Sequence, residues 1–228
     1  MYPSSHRNPI KRNRNIGTRK SGNKRQSKFE IPSQNYNPFY ENIQHPKFIQ
    51  RTVGKKTFQF IVEQLKDNYI YTCSIDEICA VLSRVPPNDL DGLSLIVLRQ
   101  PKKKEEIIDP CWGRIRYFFE FDRKLQPAII IEAIDPSSIT KITKKGISPF
   151  FQKELDMLSE EGNRVSYDKR NIRISKTTES AKNTQLYRTL LHEIGHYVAY
   201  KRGNDGNTYE DQEVFANNYA KAIMRHLC

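Results

Sequence analysis

The spacing of apolar residues along this chain changes several times, and each change predicts an element. Ile75, Ile78, Val81 and Leu82 form one stripe at helical spacing. Ser74 with Glu77 three residues later makes a capping box, and Pro86-Pro87 cannot continue a helix, so a helix is predicted between them. Three strand-like runs follow: LSLIVLRQ (93–100), GRIRYFFEF (113–121) and AIIIEAI (128–134). The middle run alternates, which sets Ile115, Tyr117, Phe119 and Phe121 on one face against Arg114, Arg116, Phe118 and Glu120. The last is nearly all apolar, as a strand covered on both faces would be. RVSYDKRNIRIS (164–175) reads as a hairpin closing around Asp168-Lys169-Arg170-Asn171.

Two helices are predicted to finish the chain, over about 183–202 and 208–227. Residues 29–55, punctuated by Pro and Asn, are expected to be an irregular lead-in, and 56–68 (KTFQFIVEQLKDN) leans towards helix. Strands followed by helices make an α+β domain over 46–228, with a small antiparallel or mixed sheet.

Charge changes the picture at the amino terminus. Arg7, Lys11, Arg12, Arg14, Arg19, Lys20, Lys24, Arg25 and Lys28 precede any acid, whereas the 200 residues that follow Lys28 are close to neutral. This polar, basic stretch cannot bury enough surface to offset the entropy of ordering, so residues 1–45 are expected to form a disordered tail. Three roles remain open for residues 1–28: a solvated tail, attraction to nucleic acid or another polyanion, or a targeting peptide. No apolar run approaches the roughly 18 residues of a membrane span. Cys73, Cys79, Cys111 and Cys228 are scattered without a paired motif, which suits reduced thiols in a cytoplasmic protein and argues against cysteine as a metal ligand.

The candidate chemistry lies in LLHEIGHYVAY (190–200). Residues four apart on a helix differ by about 40° in azimuth, so His192 and His196 project side by side and can share one ion. Glu193 stands beside them, placed to act on a water without holding the metal, which is the H-E-x-x-H arrangement of zinc hydrolases. Leu186, Leu190, Ile194, Tyr197 and Val198 supply the inward stripe that such a helix needs.

A third ligand is required. The form that takes a glycine three and a histidine six residues after the second histidine is excluded, because Ala199 and Arg202 stand there. The alternative is an acid on the next helix, folded back by the turn GNDGN (203–207) and capped by Thr208. His196 and Glu213 then lie at about 10 Å and 8 Å from the turn, nearly level. Glu210 and Asp211 are rivals, but they occupy the first turn, where acids favour the cap and the dipole. Glu213 also heads a stripe of Ala216, Asn217, Ala220 and Met224, whose small residues permit close helix packing. Asn217 is placed to accept a hydrogen bond from the far ring nitrogen of His192.

HEIGH followed by EVFANNYAKAI resembles the gluzincin pattern, and is most similar to ImmA/IrrE-type metallopeptidases at His192, Glu193, His196, Glu213, Ala216, Asn217, Tyr219 and Ala220, over about the last 45 residues. The resemblance implies Zn2+ held by His192, His196 and Glu213, catalysis by Glu193, and regulated cleavage of a protein partner such as a repressor. For the oxyanion, Tyr200 is a candidate, with Tyr167 and Tyr209 as others, and 113–121 or 164–175 could pair with an extended substrate. The competing expectation is a non-catalytic polyanion-binding protein that keeps H-E-x-x-H only as a scaffold.

Overall fold

A computed structural model of the chain describes residues 43–66, 68–108, 111–145, 147, 149–203 and 208–225. All of them belong to one unit spanning Pro38–Cys228. Residues 1–42, which hold the basic stretch 1–28 and nearly all of the expected disordered tail 1–45, residues 204–207 of the expected turn, and the last three residues, with His226 and Cys228, lie outside the described residues.

The strands are β1 (Lys47–Val53), β2 (Lys56–Val62), β3 (Leu95–Arg99), β4 (Gly113–Phe121), β5 (Lys124–Glu132), β6 (Ile139–Thr143), β7 (Arg164–Tyr167) and β8 (Asn171–Ser175). The helices are α1 (Ile75–Leu82), α2 (Lys103–Ile108), α3 (Pro149–Glu160), α4 (Thr178–Asn183), α5 (Leu191–Lys201) and α6 (Tyr209–Arg225), with a short 3-10 turn at Pro87–Leu90. The fold is α+β. A mixed five-stranded sheet runs β1-β2-β3-β5-β4, and a three-stranded antiparallel sheet runs β6-β8-β7. In the larger sheet β2, β3 and β5 are parallel, while β1 and β4 are antiparallel edges.

The five-stranded sheet is apolar on both faces. Phe58, Phe60, Ile96, Leu98, Ile129 and Ile131 meet α1, α5 and α6 in the main core. Ile61, Leu95, Val97, Ala128 and Ile130 form a second cluster on the opposite face. Central strands read as near-continuous apolar runs for this reason.

Three expectations are corrected. Residues 56–62 are strand, not helix: Phe58 and Phe60 face one cluster and Ile61 the other, a period of two on a strand buried on both sides. Residues 47–53, inside the expected irregular lead-in, form the edge strand β1. It is mostly exposed and polar, as edges that resist aggregation are, so it lacks an apolar signature. The single alternation along β4 is broken by a bulge: three steps from Arg116 to Phe119 oppose two from Ala128 to Gln126. Ile115 therefore packs with the helical core, whereas Phe119 and Phe121 join the other cluster.

The remaining elements position the carboxyl-terminal helices. Ser74 and Glu77 form the capping box of α1, and the turn after Tyr167 joins β7 to β8. The long helical stretch begins earlier than expected, at a Thr177–Ser180 capping box, and passes through a π-helical segment, Thr184–Leu190, before α5. Within that segment Gln185 is buried. Its amide donates 2.6 Å to the Glu132 carbonyl, and its oxygen accepts from the Thr72 hydroxyl, which ties the segment to β5 and the approach to α1. No described helix is long and apolar enough to cross a membrane.

Candidate metal centre

α5 and α6 approach closely because Gly195 has no side chain. A Cβ there would lie 2.8 Å from the Ala216 Cα and 3.1 Å from its carbonyl oxygen. The helices run antiparallel: His196, later on α5, meets Glu213, early on α6, while the earlier His192 also reaches Asn217, one turn further along. Tyr219 fastens α6 from outside the site, its hydroxyl donating 2.9 Å to Asp89. Asp89 also lies 3.4 Å from Arg202, beyond the end of α5.

Three donor atoms converge between these helices. His192 Nε2 and His196 Nε2 are 2.9 Å apart with perpendicular rings, and Glu213 places its carboxylate oxygens 3.4 Å and 3.3 Å from them. Tetrahedral ligation with bonds of about 2.0–2.1 Å separates adjacent donors by about 3.3–3.4 Å. The observed spacings sit at or slightly inside that figure, so the three residues fit one zinc-sized cation. Asn217 Oδ1 lies 3.1 Å from His192 Nδ1. A proton held on Nδ1 by that oxygen leaves the Nε2 lone pair directed at the other donors.

Electrostatics supports this set as a unit. Burial works against protonation of His192, but its hydrogen bond to Glu213 and the charges of Glu193 and Glu213 outweigh it and raise the pKa above 6.5. Glu213 is held well below the usual carboxylate range by hydrogen bonds from His192 and His196. Asp211 is occupied elsewhere: its carboxylate takes the Thr208 hydroxyl at 2.7 Å, and Thr208 Oγ1 accepts from the Asp211 backbone at 3.2 Å, a capping pair at the start of α6. Glu210 is exposed in the same turn. Among the described residues, His192, His196 and Glu213 are the group of His, Cys, Asp or Glu whose ligand atoms could hold one metal ion.

Glu193 is 9% exposed, and burial raises its pKa against the pull of the two histidines. Its Oε2 accepts a 2.8 Å hydrogen bond from the backbone nitrogen of Ile115 on β4. Two sequence features allow the helix to reach that strand. Gly113 opens β4 with no side chain, where a Cβ would sit 2.9 Å from Thr189 in the π-helical segment. Further along, Tyr117 turns towards α5, where its ring stacks on Tyr200 at 4.3 Å. Among the tyrosines considered for the oxyanion, Tyr200 thus forms part of a stacked pair beside the metal helix. Tyr167 lies on the other sheet beneath Lys144, and Tyr209 is 76% exposed at the start of α6. Sequence reasoning missed Ile115, because a backbone amide has no residue signature. It also missed Tyr117: the alternation sets Tyr117 on the face of Ile115, but it does not say that this face meets Tyr200 of α5.

Comparison of the chain with protein families, characterised proteins and solved structures finds no match.

Proposed function

We infer that this protein is a zinc-dependent peptidase of the H-E-x-x-H…E type, similar in its metal-site residues to the ImmA/IrrE metallopeptidases. One observation carries the reading: three mutually spaced ligand atoms from α5 and α6 stand next to a buried glutamate that is not one of them. Two histidines and a carboxylate also suit other divalent metals, including ferrous iron. The buried Glu193 favours hydrolysis, since a redox site has no need of a poised carboxylate base.

His192, His196 and Glu213 would hold the ion. Zinc in such a site polarises a carbonyl and acidifies water. Glu193 keeps Oε2 on the Ile115 amide and has Oε1 to take a proton from the attacking water, then return it to the leaving amine. Of the two strands considered for substrate pairing, β4 is the sheet edge beside this glutamate, whereas 164–175 belongs to the separate sheet. An extended protein segment would add along β4. Cys73 and Cys79 are free thiols, which suits the reducing cytoplasm proposed for the protein.

The test uses purified full-length protein. About one zinc per chain by elemental analysis, together with cleavage of an unfolded protein such as casein that the Glu193→Gln variant lacks, is the expected result. A chain that binds no zinc, or a variant as active as the parent, sinks the reading and leaves the scaffold alternative.

A further inference from the structure

The three-stranded sheet has two unlike faces. α3 covers one, where Leu155 and Leu158 pack on Ile172 and Ile174. The strand register sets the other. Lys141 lies directly opposite Arg173, which lies opposite Ser166. In the neighbouring rows Ile139, Ser175 and Arg164 align, and Thr143 faces Asn171. Lys141, Arg164 and Arg173 are exposed, as are Lys169 and Arg170 in the hairpin turn.

Like charges placed opposite each other on one sheet face are destabilising, and nothing in the packing calls for Lys141 against Arg173. The one acid of the hairpin, Asp168, is built into the turn. It accepts from the backbone nitrogens of Arg170 at 2.8 Å and Asn171 at 2.6 Å, and from Arg173 Nε at 3.2 Å. Those backbone bonds hold its pKa down at about 2, so it stays ionised and offsets part of Arg173 alone. Asp156 and Glu160 stand on α3, which covers the opposite face. α3 also carries Lys153, so the covered side is net acidic, whereas the exposed face of the strands is net basic.

We propose that the exposed face of β6-β8-β7 is a docking surface for the phosphate backbone of a polynucleotide, separate from the metal centre and from the basic tail. Strands about 4.8 Å apart, with alternate residues about 6.8 Å apart, array the cations at close, regular intervals. Ser166, Ser175, Thr143 and Asn171 stand between them, and hydroxyl and amide groups of this kind join Arg and Lys in contacts to phosphate. This interleaving favours a regular phosphate chain over an acidic polypeptide. No aromatic ring stands in these rows, so the face offers no stacking platform for bases. Binding is consequently independent of sequence and strongly dependent on salt.

Fluorescence anisotropy with a labelled 20-nucleotide oligo-dT and the full-length protein, repeated across a salt series, tests this. Neutralising the face with Lys141→Gln, Arg164→Gln and Arg173→Gln should weaken binding and reduce the log–log salt slope by about 2, from three phosphate contacts at about 0.7 each on a single strand. The charge-retaining set Lys141→Arg, Arg164→Lys and Arg173→Lys should restore both. The same comparison in a chain whose nine tail cations are changed to Gln isolates the face from the tail. Zinc content should not change in any of them, which keeps this result apart from the peptidase reading. If the triple variant fails to fold, Arg164→Gln alone carries the test with a slope change of about 0.7. Unchanged binding and slope in both backgrounds overturns the proposal, as does a charge-retaining set as weak as the neutral one. A variant that loses only binding to poly-glutamate also overturns it, in favour of an acidic protein partner.

Discussion

Oε2 of Glu193 lies 2.8 Å from the backbone nitrogen of Ile115, which couples the candidate general base to the edge strand that borders it. The contact leaves one carboxylate oxygen for a proton and restricts the rotamer that carries it. It also means that an edge amide of β4 is already engaged before any substrate strand arrives. The helix and the strand edge are thereby one device.

The base and its anchor can be separated by substitution. Glu193→Gln retains an oxygen that can accept from Ile115 but cannot take a proton, so folding and zinc content should be unchanged while hydrolysis falls by about 10²–10⁴-fold. Glu193→Ala removes the acceptor as well. Hydrogen exchange at the Ile115 amide should be slow in the parent and the Gln variant and fast in the Ala variant. Equal exchange in all three would mean that the bond does not form in solution.

The third ligand is tested by contrast between two acids one turn apart or less. Glu213→Ala should lose zinc, because it removes one of three donors. Asp211→Ala should keep zinc and lower stability by about 1 kcal/mol, through loss of its capping pair with Thr208. Metal content and thermal midpoint separate the outcomes. Zinc lost from the Asp211 variant alone would transfer the ligand role to that acid.

Much of this arrangement was legible in the sequence where it depends on helical spacing. His192, His196, Glu213 and Asn217 are brought together by periodicity and one turn, both of which are local properties. The sheet was less legible. β2 carries apolar residues on both faces and so mimicked a helix, while β1 is an edge with little apolar surface to announce it. β6 and α3 fell in a stretch without a clear pattern and were not anticipated. The bulge in β4 is fixed by pairing with β5, a relationship between strands that a single strand's alternation cannot contain.

Proton linkage gives opposite signs with and without metal. In the metal-free chain the raised pKa of His192 contributes stability that is present below pH 6.5 and lost as pH rises through the folded value. The depressed pKa of Glu213 contributes stability that is present above pH 4.5 and lost as pH falls through its folded value. The pair therefore stabilises the metal-free protein most between those limits. Zinc requires neutral imidazole, so its affinity should rise with pH, up to about tenfold per unit for each proton displaced. Thermal unfolding with chelator should show the His192 contribution falling as pH rises above 6.5, whereas the stabilisation added by excess zinc should grow over the same range. A chelator-treated protein and a zinc-loaded one with parallel pH profiles would contradict this coupling.

The packing of the two metal helices rests on Gly195, the residue before His196. Its helical position does not itself require glycine, since its φ is not in the left-handed region. What excludes a side chain is the backbone of α6: a Cβ would meet the Ala216 Cα at 2.8 Å and its carbonyl oxygen at 3.1 Å, and neither can swing aside as a flexible side-chain tip could. Gly195→Ala must therefore push α6 away, against the buried contacts of Ala216 and Ala220 and the Tyr219–Asp89 hydrogen bond. Overpacking of this kind costs about 1–3 kcal/mol, partly offset by the better helix propensity of alanine. The displacement falls on the separation between Glu213 and the two histidines, so zinc affinity should drop more than stability does. Ala216→Gly in the same chain relieves little, because the clash is with backbone atoms that glycine retains. A Gly195→Ala variant with parental zinc affinity would show that the helices meet less closely than the fold requires.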